Sequence, residues 1–157
     1  MAGSLARVEQ AAVDLGLSIT VVEMPESTRT AVEAATACDC EVGQIVKSLV
    51  FTGSETGDLF LFLVCGDNQV DIEKAAIAAE QPLERADPSL VRKKTGFAIG
   101  GVSPIGHKQP IVTFADEDLL NYQEVWAAAG TPRAVFAVDP TSLIKKTKAK
   151  TTDLKLS

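Results

Sequence analysis

A chain of 157 residues, 46% hydrophobic and 23% charged, suits one domain with a sizeable core and excludes disorder as the default state. Its formal net charge of −6 argues against wrapping a long nucleic acid such as DNA, because phosphate neutralisation dominates such binding, but leaves room for gripping one end. The first residues carry no basic stretch followed by an apolar run, and no apolar segment reaches about 18 residues, so neither secretion nor membrane spanning is expected and the chain reads as cytoplasmic.

In chain order, Leu5, Val8, Ala12 and Leu15 form one stripe and predict a helix from about Ser4 to Leu15, closed by Gly16. A short strand, "SITVVE", follows. In "STRTAVEAATA", Thr30 and Glu33 have the spacing of a capping box and mark a second helix start. Through Gly43 the chain enters "QIVKSLVF", a strand by its β-branched and aromatic residues. Alternation places Lys47 with Ile45, Leu49 and Phe51 on one face, and Ser48 with Val46 and Val50 on the other. Both faces are otherwise apolar, so the two polar residues need a reason.

The turn "TGSETGD" leads to "LFLFLVCG", a continuous apolar run of strand length that predicts burial on both faces. A hairpin of these two strands puts Lys47 in the middle of the sheet. Asp71 suits the cap of a helix through "IEKAAIAAE". Two further helices open with Asp-Pro, "DPSLVRKKTG" and "DPTSLIKKTK", with aspartate at the cap, proline in the first position and lysines in the last turn. The stretches "PIVTFAD", "EVWAAAG" and "RAVFAVD" are strand-like, and Trp126 and Phe136 within them are expected in the core. The interleaving predicts a mixed α/β fold, α+β-like in character, with helices packed around a mixed sheet in one domain over 1–157. The basic residues Arg92, Lys93 and Lys94, and Lys145, Lys146, Lys148, Lys150 and Lys155 in the tail, read as solvated faces.

Cys38, Cys40 and Cys65 are odd in number and lack a regular framework, which fits reduced thiols. The Cys-x-Cys of "ACDCE" has no second pair and the one histidine, His107, lies far away, so no metal site is expected. Residues 96–110, "GFAIGGVSPIGHKQP", combine Gly96, Gly100, Gly101 and Gly106 with Pro104 and Pro110. Such a segment is too irregular for a helix or central strand. Its glycines allow backbone amides to approach a ligand, although no Gly-Lys-Ser/Thr follows as in a phosphate loop. His107 is expected to be an exposed loop residue.

Four stretches in order, "TRTAVEAA", "GQIVKSLVF", "TGFAIGGVSPIGH" and "EVWAAAGTPRAVFAVDP", resemble the YbaK/prolyl-tRNA-synthetase-associated domain family of free-standing aminoacyl-tRNA editing domains over roughly residues 18–154. The resemblance implies a compact domain with a partly barrel-like sheet. It implies hydrolysis of the ester joining a wrong amino acid to the 3′ aminoacyl-adenosine end of a mischarged tRNA, often tRNA-Pro, with no cofactor. The family's signature lysine corresponds to Lys47, and its glycine-rich loop to Gly100, Gly101, Pro104 and Gly106. By the same resemblance Lys47 and Gly101 are the catalytic candidates. The loop residues Gly100, Pro104 and Gly106 and the late-turn Gly130 are its substrate-contacting ones; Thr30, Ser48, Ser103 and Thr131 are further candidates for substrate contact, with local capping the alternative for Thr30 and Thr131 and a backbone hydrogen bond the alternative for Ser48. The chain lacks the early tyrosine and late serine of members that remove cysteine, and the late histidine of members that remove alanine, so the amino acid handled stays open. So does the subunit number, with a homodimer among the options.

The residues themselves support positioning and electrostatics rather than a nucleophile–histidine pair. A lysine ammonium in a water-poor pocket, with glycine-loop amides beside it, can polarise an ester while water or a group on the substrate attacks. Two rivals remain: a binding module that holds an aminoacyl end or a nucleotide-like ligand without turnover, and a carbonyl enzyme using Lys47 as a Schiff-base amine.

Overall fold

The computed structural model describes residues 3–28 and 30–157; Met1 and Ala2 of the opening stretch and Arg29 of "TRTAVEAA" lie outside them. Helix α1 spans Ser4–Leu15 and closes on Gly16 in the left-handed conformation. Strand β1 is Thr20–Glu23 and helix α2 Ala31–Cys38. The capping box forms as the spacing requires: Glu33 N–H donates to Thr30 Oγ1 at 3.1 Å, and Thr30 N–H donates to Glu33 Oε1 at 3.2 Å. A 3-10 turn, Val42–Gln44, precedes β2 at Val46–Gly53, and β3 follows at Leu59–Cys65.

Beyond this hairpin come α3 (Ile72–Ala79), β4 (Leu83–Arg85), α4 (Pro88–Thr95), β5 (Val112–Asp116), β6 (Val125–Ala128), β7 (Ala134–Val138), α5 (Pro140–Thr147) and β8 (Lys150–Thr152). Asp71, Asp87 and Asp139 each accept a backbone N–H in the first turn of α3, α4 and α5. Prolines occupy the opening positions of α4 and α5, where a missing N–H costs nothing.

The strands form a five-stranded sheet, β4-β2-β3-β5-β8, and a three-stranded sheet, β1-β7-β6. β3 pairs antiparallel with β2 and parallel with β5, and every one of its residues is buried, as its unbroken apolar run demands. Side chains alternate accordingly. Val46, Leu61 and Leu63 join α1, Phe136 and Leu143 in the main core. Phe60, Phe62, Val64 and Phe114 form a second cluster with Ala75 of α3, in which Phe62 and Phe114 stack at 5.3 Å.

The partly barrel-like closure expected from the family resemblance does not form. Among the described residues, the two sheets meet through a single parallel bridge, Ile45 to Trp126. The outer edge of β2 bonds to β4 only from Phe51 to Gly53. The preceding half of β2, which contains Lys47, therefore runs along an open edge that faces β6. The expected mid-sheet position is correct for the β3 side and wrong for the other.

Candidate active site

A cavity of about 400 Å³ occupies the gap left by this incomplete closure, well within the size range of ligand pockets. Its walls are the β2 edge from Ile45 to Leu49, Trp126 to Ala128 of β6, the start of α2 with Thr28 and Thr30, and Ile99, Gly100 and Val102 of the glycine-rich loop. The register keeps Lys47 opposite Val64 and Ser48 opposite Leu63, so the two do leave opposite faces of the sheet. Both still line the cavity, because it runs along the strand edge rather than over one face.

Lys47 is half-buried, and its ammonium donates to the main-chain carbonyl of Asn68 in the turn after β3. The Asn68 side-chain amide in turn donates to Asp116 at 2.8 Å and Asp118 at 2.9 Å. Asp116 is buried and also accepts from the N–H of Cys65 and of Asp118. Burial pulls the Lys47 ammonium below its ordinary proton affinity, and the nearby carboxylates of Asp116 and Asp67 pull the other way. Cys65 itself, buried and donating to the Gly43 carbonyl, is pushed up to about 12 and stays a thiol. Cys38 at the end of α2 is likewise pushed up to about 11, first by burial and then by Cys40.

Ser48 Oγ is buried, makes no hydrogen bond among the described residues, and belongs to a side chain that lines the cavity. A hydroxyl in that state normally finds a partner within the protein.

The glycine-rich loop divides into a cavity-facing part and a packed part. Ala98 to Gly101 is a tight turn: the Gly101 N–H donates to the Ala98 carbonyl at 3.0 Å, and Gly100 sits at φ +96°, the third position of a type II turn that only glycine fills without strain. The Gly101 amide is thus already engaged. The Gly100 amide, in the central peptide, makes no hydrogen bond among the described residues. Gly101 is buried behind it, and a Cβ there would lie 3.0 Å from the Thr131 backbone. Ser103, Pro104 and Gly106 do not reach the cavity. Ser103 Oγ accepts from Ile105 N–H, Pro104 is buried, and Gly106 packs on the Arg7 backbone. Gly130 packs against Ser4 and Phe97, and Thr131 faces a second hollow on the far side of the turn.

His107 is not an exposed loop residue. It sits edge-on to Phe97, with Nε2 2.6 Å from the Ser103 carbonyl, and burial lowers its proton affinity. Arg7 explains the packing: its guanidinium donates to the Gly96 and Gly106 carbonyls and lies 4.7 Å over the Phe97 ring. Phe136 is in the core as expected, but Trp126 is only part-buried and lines the cavity. Thr28, Ile99 and Trp126 had no local signal as site residues; their spacing along the chain marks strands and turns, not which face stays uncovered.

Among the described residues Lys47 is the one ionisable side chain in this lining, and no cluster of metal-ligating residues exists. An open, mostly apolar cavity that holds, among the described residues, one lysine ammonium and a turn amide without a hydrogen bond suits the uncharged reacting centre of a ligand with anionic or electron-rich oxygens. A sequence model of the aminoacyl-tRNA editing domain matches residues 25–146, and the chain belongs to that family. A solved structure described as that of a candidate trans-editing enzyme for prolyl-tRNA synthetase is 52% identical, with a TM-score of 0.93 over 100% of this chain and 99% of that one. The candidate Cys-tRNA(Pro)/Cys-tRNA(Cys) deacylase EbsC of Enterococcus faecalis is 28% identical over 78% of this chain and 74% of its own length. Part of the proline–tRNA ligase of Thermosipho melanesiensis is 33% identical over 81 residues, 51% of this chain and 14% of the ligase. No helix among the described residues is long and apolar enough to cross a membrane.

Proposed function

We propose that the protein is a trans-acting aminoacyl-tRNA deacylase that hydrolyses the ester of a mischarged tRNA, with tRNA-Pro carrying a small wrong amino acid as the leading substrate. The observation that carries this reading is the cavity at the β2 edge, where the Lys47 ammonium, the buried unpaired Ser48 hydroxyl and the free Gly100 amide all line one space. Membership of the editing-domain family and the relatives' descriptions support it.

In this reading the terminal ribose and its ester lie between Lys47 and Gly100. An ammonium has three donors, and Asn68 takes one. The others are free to bind ribose oxygens or the ester carbonyl, with the Gly100 N–H as second donor to the developing oxyanion. Attack on the carbonyl carbon breaks its bond to the 3′ oxygen, which leaves as the hydroxyl. Among the described residues the lining supplies no carboxylate, imidazole or thiol, so the nucleophile is an ordered water or a group on the substrate. Ala34, Ile45 and Trp126 offer an apolar wall for a small side chain, and Ser48 a hydroxyl to orient it. Thr30 contributes from the start of α2. Gly101, Ser103, Pro104, Gly106, Gly130 and Thr131 act behind these groups, as the packed support of the turn.

The absence of a general base among the described lining side chains also favours a second reading, in which the cavity holds an aminoacyl end without turnover. A deacylation screen over tRNAs charged with small amino acids separates the two. Catalytic release from at least one of them is expected, and saturable binding with no release from any would leave only the binding module.

A further inference from the structure

Behind the Ala98–Gly101 turn lies a hollow of about 390 Å³, lined by Ser4, Arg92, Lys108 and Thr131 among others, with no carboxylate among the described residues of its wall. The turn is the partition: Ala98 faces this hollow, Ile99 and Gly100 face the cavity, and Gly101 packs against Thr131. Arg92 lies in the last turn of α4 beside Lys93 and Lys94. Two backbone hydrogen bonds, Lys108 N–H to the Thr95 carbonyl and Gln109 N–H to the Lys94 carbonyl, hold Lys108 against the end of that helix. The Arg7 guanidinium is fixed just beneath, on the Gly96 carbonyl. Arg92 and Lys108 are exposed, and neither takes part in a salt bridge among the described residues. In a chain of net charge −6 this is a concentrated, unneutralised positive site. Cations at a helix end do complement the helix dipole, and Lys145 and Lys146 of α5 do so as well. Arg92 of α4, with Lys108, differs in bordering a concavity that shares a wall with the reacting site.

We propose that the hollow bounded by Arg92 and Lys108 takes backbone phosphate of the single-stranded 3′ end of tRNA, next to the terminal nucleoside held in the cavity. The inference rests on the deacylase reading for which nucleoside enters the cavity. The contact is a positioning one, indifferent to base sequence, as phosphate contacts are. It accounts for how an acidic protein holds a polyanion: the grip is confined to one or two phosphates at the end of the strand.

The test compares wild type, Arg92→Gln/Lys108→Gln and the control Lys145→Gln/Lys146→Gln, which makes the same change of charge at the end of α5. Uncharged tRNA-Pro is titrated at several salt concentrations, and hydrolysis of alanyl- and cysteinyl-adenosine is followed separately. Loss of two phosphate contacts on a single strand lowers the slope of log affinity against log salt by about 1.4. The double variant at the hollow should show that drop, with weaker binding and wild-type thermal unfolding, while the control keeps the wild-type slope. Hydrolysis of the two aminoacyl-adenosines should be equal in all three. An unchanged slope in the α4 variant, or an equal loss in the control, overturns the proposal even if the wild type deacylates. Failure of the wild type to release any amino acid sinks the deacylase reading instead, and the tRNA titration still decides this one.

Discussion

The ammonium of Lys47 donates to the carbonyl of Asn68, a residue 21 positions further along the chain, and Asn68 in turn uses its side-chain amide to join Asp116 and Asp118. Lysine in this site is therefore oriented by a main-chain acceptor and surrounded by anions it does not touch. Among the described residues it forms no salt bridge, and the nearby carboxylates only oppose the effect of burial, so Asn68 takes one of its three donors and two remain.

Replacing Lys47 with alanine should lower kcat/KM for deacylation by about 10²–10³, the usual loss when one donor to a developing oxyanion is removed. Thermal unfolding should change little, because the side chain is half-buried and its acceptor is a carbonyl near solvent. Retention of wild-type kcat/KM in a folded Lys47→Ala protein would rule out the proposed role.

The pH profile follows from the direction of the Lys47 shift. Burial holds its proton affinity below the ordinary 10.5, while Asp116 raises it. If the charged form is the active one, activity falls as pH rises through a value lower than 10.5. Asp116→Asn removes an anion, so its alkaline limb should move to lower pH. Initial rates corrected for spontaneous ester hydrolysis read this directly, and a limb displaced to higher pH would contradict it.

Ser48 allows stability and activity to be pulled apart. A buried hydroxyl without a partner costs the fold about 1–3 kcal/mol. Ser48→Ala should leave unfolding unchanged or raise its midpoint, while KM for the mischarged tRNA rises. A variant that loses stability without any change in KM would place the hydroxyl in the fold's service instead.

His107 makes acid a weak point of the loop. It is held below its ordinary value of 6.5, chiefly by burial. The unfolded chain then binds this proton more tightly than the folded one. Stability from this group is complete above about 6.5 and drains away as pH falls through the lower folded value. The unfolding midpoint should drop between pH 7.5 and pH 5, and His107→Gln, which keeps a donor toward the Ser103 carbonyl, should flatten that dependence.

Local chemistry made most of the elements legible in the sequence. The Thr30–Glu33 box, the two Asp-Pro helix starts and the apolar run from Leu59 to Cys65 each carry their cause within a few residues. The strands Leu83–Arg85 and Lys150–Thr152 do not, because neither "LER" nor "KTT" alternates in a telling way. They are strands only because the edges of β2 and β5 accept them. Sheet closure was illegible for a similar reason: it depends on whether β2 and β6 stay parallel past Ile45 and Trp126, a matter of packing between distant segments. Lys47 stood out as a charge in an apolar strand, yet its partner Asn68 has no sequence relation to it. Likewise the burial of His107 is imposed by Arg7 and Phe97, which composition alone cannot bring together.

The strand from Leu59 to Cys65 has a consequence for how the chain is made. It is a seven-residue segment without charge, proline or glycine, the composition that readily stacks between molecules. β2 precedes it and can pair at once, but its other neighbour, β5, begins only at Val112. On a ribosome, or in a dilute refolding mixture, that second edge stays bare while some fifty further residues are supplied. Asp58 and Asp67 stand at either end of the run as charged gatekeepers, a sequence-level safeguard against association that the finished fold no longer needs.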